Sequence, residues 1–127
     1  MLAIAPGCEL DVERGPDWLL VRVRNLDLVE SSDTPPLAER LWNLLEQHFT
    51  YRLVLELDAV QVLNSHLIGQ LARLYQRIEE HDGVMRLCGL SSRNRQMLHA
   101  CRLDDRLLPY GDRQEAVMGY PHWARPR

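Results

Sequence analysis

The sequence of 127 residues has little that would support redox, metal or membrane chemistry. Its three cysteines, Cys8, Cys88 and Cys101, leave at least one unpaired and form neither a CxxC motif nor a Cys/His cluster at metal-ligand spacing. We interpret each as a small buried hydrophobic residue in a reduced, cytoplasmic protein. No stretch approaches the roughly 20 apolar residues of a membrane span, and the first residues lack the pattern of a signal peptide.

The sequence also lacks a large excess of one sign of charge. The 15 basic and 18 acidic residues give a formal net charge of -3. Nucleic acids and anionic membranes attract proteins through concentrated lysine and arginine. We therefore expect no nucleic-acid partner and no membrane partner.

Motifs for nucleotide binding and catalysis are missing. A phosphate-binding turn needs several glycines, whereas the turn after the central strand, VLNSHLIG, has one, Gly69, which falls inside a helical segment and is better explained by close helix packing. Ser65 and His66 are sequence neighbours whose side chains point in different directions, and no GxSxG elbow is present. The five histidines form no HxxxH or HxH pair. We expect no enzyme activity, no cofactor and no metal.

Two further features have both a functional and a structural interpretation. Glu56 and Asp58 share a strand face, as two catalytic acids would, yet at a strand end such residues are usually solvated or paired with basic groups. Trp18 has the size of a binding anchor, while Trp42 fits the edge of a packed helix face.

Residues 52–78 carry the clearest structural signal. A continuous apolar run predicts a buried strand, and Asn64 has the side chain to cap a following helix. Exposed N–H groups and about half a positive charge concentrate at such a helix start, so Asn64, Ser65 and His66 are the first place to look for function. Beyond the cap, three- and four-residue spacing predicts one buried helix face: Leu67, Ile68, Leu71, Leu74, Tyr75 and Ile78.

Strands and helices alternate along the rest of the chain. A hairpin is predicted over residues 8–24 behind a loose arm, further helices near residues 37–48, after Ser91 and after Asp112, and further strands over residues 84–90 and 103–108. Gly83 fits a left-handed cap at the end of the central helix. The pattern predicts an α/β fold with a mixed sheet of four to five strands and about four helices. We expect one domain over residues 1–118, ordered from about residue 8, and a flexible tail over residues 119–127.

This order of elements resembles the STAS domain family, which includes bacterial anti-sigma factor antagonists. The resemblance covers about residues 8–118, and its best segments are LVLELDAVQVLNSHLIGQLARLYQRIEEHDGVMRLCGLSSRNRQML and LDDRLLPYGDRQEAV. Similar sequences carry a DSSG motif at the helix start, where Asn64 matches the Asp, Ser65 the first Ser, His66 the second Ser and Leu67 the Gly. Asp27, in the segment NLD, matches the acidic residue of a GELD-like segment.

The resemblance implies a STAS-like fold and a regulatory function without catalysis. In the family, a partner kinase that is also the anti-sigma factor phosphorylates the second serine, and the added charge abolishes docking. His66 cannot accept a seryl phosphate, so the resemblance implies a degenerate phosphosite at Ser65 and His66. The Ser65 hydroxyl has two interpretations, helix capping and phosphorylation.

We therefore expect a binding module for an anti-sigma factor or a serine-kinase-type regulatory protein, with binding that is constitutive or switched elsewhere. Leu67 would supply an apolar contact, and Gln70 and Arg73 the rim. The polar contacts would come from Asn64, Ser65 and Asp27. Two alternatives stay open: a sensor of a small ligand or nucleotide held at the helix start, and a structural subunit of a larger signalling assembly. Weak homodimerisation is also left open.

Overall fold

The computed structural model describes residues 2–5, 8–26, 37–103, 106–107 and 109–118. Within these ranges the chain forms one mixed sheet and four helices. The strands, in their order across the sheet, are β1 (Leu2–Ala5), β2 (Cys8–Arg14), β3 (Leu19–Leu26), β4 (Arg52–Glu56), β5 (Val84–Cys88) and β6 (Pro109–Tyr110). The helices are α1 (Leu37–Gln47), α2 (Ser65–Glu80), α3 (Ser92–Ala100) and α4 (Arg113–Met118).

The sheet combines two pairing modes. Strands β1, β2 and β3 pair antiparallel, whereas β3, β4, β5 and β6 pair parallel. Parallel neighbours need crossover connections, and α1 and α2 supply them on either side of β4. The predicted α/β class and the mixed sheet with four helices are confirmed.

The ends of the sheet differ from the expectation. The predicted loose arm contains the edge strand β1, in which Leu2 and Ala3 pair with Leu10 and Glu9 of β2. Its sequence, Leu-Ala-Ile-Ala, does not alternate apolar and polar residues, so periodicity gives no strand signal there. At the other edge, β6 is formed by Pro109 and Tyr110, whereas the sequence predicted the last strand over residues 103–108. The domain limits at residues 1–118 stay a prediction, and the tail over residues 119–127 lies outside the described residues.

The core fills both faces of the central strand. Leu53, Val54 and Leu55 of β4 have no exposed surface, because α1 and α2 cover one face and α4 with Trp18 the other. Trp18 itself is 5% exposed, with the guanidinium of Arg52 at 4.4 Å from its ring centroid. It is therefore a packed residue and not an exposed binding anchor.

Helix α2 begins as predicted and ends differently. Asn64 Oδ1 accepts a hydrogen bond of 2.8 Å from the N–H of Leu67, which confirms the cap. At the other end Asp82 takes the left-handed conformation, with a φ of 58°, and not Gly83. A side chain on Gly83 would overlap the carbonyl oxygen of Tyr51, so close approach of two backbones explains this glycine.

Candidate functional site

One edge of the sheet collects the starts of the helices. Because β3, β4 and β5 run parallel, their carboxyl ends meet there, and α1, α2 and α3 follow them in the chain. The connections after β4 and β5 also touch, since the N–H of Leu57 donates to the carbonyl of Cys88 at 2.9 Å. Gly89, with a φ of 76°, lies against Asp58 so closely that an added Cβ would sit 3.0 Å from the Asp58 Cβ.

A buried asparagine joins the starts of α2 and α3. Asn94 has no exposed surface, and its Oδ1 accepts from the N–H of Leu63 at 2.9 Å while its Nδ2 donates to the carbonyl of Val60 at 3.0 Å. One amide side chain thus satisfies two backbone groups of the loop before α2. Nothing in the sequence distinguishes Asn94 from the polar residues around it, and it was not predicted.

A second connection runs from α1 to the first turn of α2. The N–H of Ala38 donates to Gln70 Oε1 at 3.2 Å, and Gln70 Nε2 lies 3.0 Å from His66 Nε2. A backbone N–H can only donate, so Gln70 must accept through its oxygen and donate through its nitrogen. His66 Nε2 is then the acceptor in this bond. Gln70 therefore fixes the His66 ring.

The structure separates the predicted site residues into two groups. Ser65, His66 and Arg73 are exposed and Asn64 is half-buried, whereas Leu67 is 3% exposed and Gln70 is 8% exposed. Leu67 belongs to the helix face that packs on the sheet, so the expectation that it offers an apolar contact to a partner is corrected. Gln70 acts from beneath the surface. Asp27 lies outside the described residues.

Four exposed residues and the half-buried Gly69 lie at the start of α2, and we call this set the α2 strip: Val62, Ser65, His66, Gly69 and Arg73. Val62 is 38% exposed and stands just before the cap. A Cβ added to Gly69 would meet no atom within 4 Å, which corrects the expectation that this glycine allows close helix packing. Three- and four-residue spacing joins Ser65, His66, Gly69 and Arg73 along the outer face of α2, so the same period that predicted the buried face was a usable signal for these four.

The acidic residues near this edge are paired with arginines. Arg22 binds Asp58 through Nε to Oδ1 and Nη2 to Oδ2, both at 2.9 Å, and Arg113 Nη2 binds Glu56 Oε1 at 2.8 Å. The hydrogen bond from Arg22 holds the pKa of Asp58 below its usual value, in spite of partial burial. The two carboxylates therefore act as ion-pair partners, as the structural interpretation of the sequence held.

The thiols have contrasting surroundings. Cys88 is completely buried, and burial raises its pKa to about 12, so it stays protonated near neutral pH. Cys101 is exposed, which corrects the expectation that it is a buried hydrophobic residue, and the side chain of Cys8 lies outside the description. Over the described ranges no group of three or more His, Cys, Asp or Glu residues could hold a metal ion. No described helix has both the length and the apolar character to cross a membrane.

Comparisons with known proteins agree on the family and the fold. The family described as the STAS domain matches residues 11–116. An anti-sigma factor antagonist from Mycobacterium paratuberculosis superposes with a TM-score of 0.72 at 22% identity, covering 92% of this chain and 97% of its own. A STAS domain protein from Planctomyces limnophilus, an anti-sigma-factor antagonist, gives 0.70 at 22% identity, covering 87% and 96%. A chain of the stressosome gives 0.62 at 16% identity, covering 91% and 100%. No curated protein matches the sequence.

Proposed function

Because this chain belongs to the STAS domain family, we propose that it is a non-enzymatic regulatory module that binds an anti-sigma factor or a serine-kinase-type protein on the α2 strip. One observation carries the proposal: the start of α2 presents exposed side chains on a helix whose opposite face is anchored in the core. Solved structures of similar fold include anti-sigma factor antagonists.

The strip has the composition of a small docking surface. Val62 supplies exposed apolar area, and Gly69 leaves room for a close approach of a partner. Ser65 and Arg73 supply polar contacts on either side, while Asn64 and Gln70 hold the first turn in place from behind. Leu67 is no longer a contact residue in this proposal.

The usual switch is absent at position 66 in this proposal. His66 occupies the place of the phosphorylated serine, and Gln70 holds its ring. A seryl phosphate adds nearly two negative charges and three acceptors, and an imidazole cannot receive it as an ester. Docking is then constitutive, or switched at a position outside the α2 strip.

A binding and phosphorylation assay tests the proposal. Anti-sigma factors and serine kinases of the source organism are titrated one by one against the purified protein, with and without ATP. At least one binds the wild type, and His66→Asp weakens it about tenfold or more because a charge is placed in the strip. Asn43→Asp, which adds a charge to an exposed position of α1, serves as the control and leaves affinity within about twofold.

Two results would contradict parts of the proposal. Equal affinities for His66→Asp and the wild type would remove the strip as the docking surface. Stoichiometric phosphate at Ser65, with loss of binding, would show an intact switch one position away. His66→Ser restores a hydroxyl at position 66, and we expect it to become a kinase substrate if the partner is a kinase.

A second candidate function is a subunit of a larger signalling assembly. The similarity to a stressosome chain favours it, because that protein is part of a signal integration and transduction hub. Light scattering over a range of protein concentrations separates the two: a mass that grows with concentration supports the assembly, and a constant monomer mass opposes it. A monomer also rules out the weak homodimer.

A further inference from the structure

Helix α3 begins with an unusual charge distribution. Arg93 and Arg95 fall within its first four residues, and its first turn has no acidic residue. A helix N-terminus carries about half a positive charge, so a cation there is unfavourable, whereas an acid would stabilise the helix. Two arginines in this position therefore work against the stability of their own helix.

No intramolecular acid offsets that cost in the described part of the chain. Arg93 is exposed and Arg95 half-buried, and neither forms an ion pair there, although five other pairs of oppositely charged residues do. The sequence adds to the effect, since no acidic residue occurs between Asp82 and Asp104. A protein with net charge -3 thus carries a locally basic segment.

The first turn of α3, which carries Arg93 and Arg95 and which we call the basic turn, is bonded to the loop before α2. Asn94, between the two arginines, is the buried residue that binds the loop before α2 through Leu63 and Val60. The first turn of α3 is therefore fixed beside the loop that carries Val62. Arg93 and Arg95 flank this fixed residue at the N-terminal end of α3.

We propose that Arg93 and Arg95 extend the docking surface and bind an acidic patch on the partner protein. This rests on the proposed function, and it names the charge of the surface that docks. Residues that destabilise their own helix without a compensating ion pair are expected where they serve binding. Guanidinium groups form bidentate hydrogen bonds with carboxylates, which makes an acidic surface the matching partner. Two arginines are too few for a nucleic acid, whose binding typically involves about 6–10 phosphate contacts.

The test compares two double variants that change net charge equally at opposite ends of α3. Arg93→Glu with Arg95→Glu removes the basic turn, and Arg102→Glu with Arg106→Glu is the control at two exposed positions beyond the helix end. We expect the melting temperature to rise in the first variant, because acids stabilise the N-terminal end of a helix dipole.

Binding is measured by NMR titration with a short poly-glutamate peptide. The peptide should shift the Arg93 and Arg95 signals, and its affinity should fall about tenfold in the first variant, since each exposed charge pair contributes up to about 1 kcal/mol and 1.4 kcal/mol is a factor of ten. The control should lose less than about threefold. Equal losses in both variants would overturn the inference, and so would tighter binding of a single-stranded oligonucleotide of matched charge.

The partner assay separates this inference from the proposed function. If an anti-sigma factor binds the wild type and Arg73→Glu weakens it, but Arg93→Glu with Arg95→Glu does not, the strip is upheld and the acidic contact is wrong. If both weaken it, and only the Arg93 and Arg95 pair removes most of the salt dependence of association, both are supported. If no candidate protein binds, the proposed function fails, and the peptide titration still decides whether the basic turn recognises carboxylates.

Discussion

Arg22 holds Asp58 through two parallel hydrogen bonds of 2.9 Å, which join β3 to the loop that leads into α2. The same loop is held from the other side by the buried amide of Asn94. The entry to the α2 strip is thus fixed from two directions before any partner arrives. Preorganisation of this kind reduces the entropic cost of ordering the loop on binding.

The Arg22–Asp58 pair should make stability depend on pH. Arg22 lowers the folded-state pKa of Asp58 below 3.8, so the ionised carboxylate stabilises the native state above that value and the effect is lost as the pH falls through the folded pKa. Asp58→Asn should cost up to about 1 kcal/mol near pH 7, since both side chains are more than a third exposed, and almost nothing near pH 2.

Urea denaturation at both pH values measures this difference. Asp17→Asn is the control, because Asp17 is exposed and has no ion pair within the described ranges. A cost for Asp58→Asn that does not change with pH would show that the pair contributes shape and not charge.

Asn94→Ala should be strongly destabilising. It leaves the N–H of Leu63 and the carbonyl of Val60 buried without a partner, and each such group costs roughly 1–3 kcal/mol. We expect a loss of about 2–4 kcal/mol in the free energy of unfolding by chemical denaturation. Asn43→Ala, on the exposed face of α1, should change stability by less than about 0.5 kcal/mol. A loss below about 1 kcal/mol for Asn94→Ala would mean that water replaces the amide.

Two glycines should respond in opposite directions to the same added methyl group. Gly69→Ala should stabilise the protein by roughly 0.5–1 kcal/mol, because the Cβ meets open space inside a helix. Gly83→Ala should destabilise it by roughly 1–3 kcal/mol, because the Cβ overlaps the Tyr51 carbonyl. Thermal denaturation of both variants provides the measurement, and each is the control for the other. Shifts of equal sign would contradict the packing at both positions.

Periodicity predicted the part of the fold that depends on one element at a time. The buried face of α2 and the cap at Asn64 follow from spacing and side-chain chemistry, and both are present. Contacts between elements were not accessible in that way. The bonds of Asn94 to Leu63 and of Gln70 to Ala38 join residues more than 30 positions apart, and no local pattern encodes them.

The place of the predicted site stays a prediction, and its contact residue Leu67 was wrong for the same reason. Leu67 was taken as exposed because it replaces a glycine in the family motif, although its helical spacing with Leu71 and Leu74 already placed it on the buried face. Giving the period precedence over the motif would have selected Gly69 in its place, whereas Val62 precedes the helix and has no such signal. The ion pair between Asp58 and Arg22 could not be predicted, because it depends on the register of β3 against β4, which the sequence does not specify.

The thiols should differ in reactivity in the native protein. Cys101 is exposed and should react with iodoacetamide in the folded protein. Cys88 should react only after unfolding, because burial both blocks access and raises its pKa to about 12. Peptide mapping by mass spectrometry, with and without denaturant, assigns each site, and Cys101→Ser is the control for label at position 101.

The Cys88 thiol should also make stability depend on pH. Because its pKa is raised in the folded state, the thiol stabilises the protein below its ordinary pKa of 9.0, and this contribution is lost as the pH rises toward about 12. Between these pH values, Cys88→Ala should therefore lose less stability than the wild type. In the labelling experiment, rapid reaction of Cys88 near neutral pH would contradict its burial and show that the end of β5 opens.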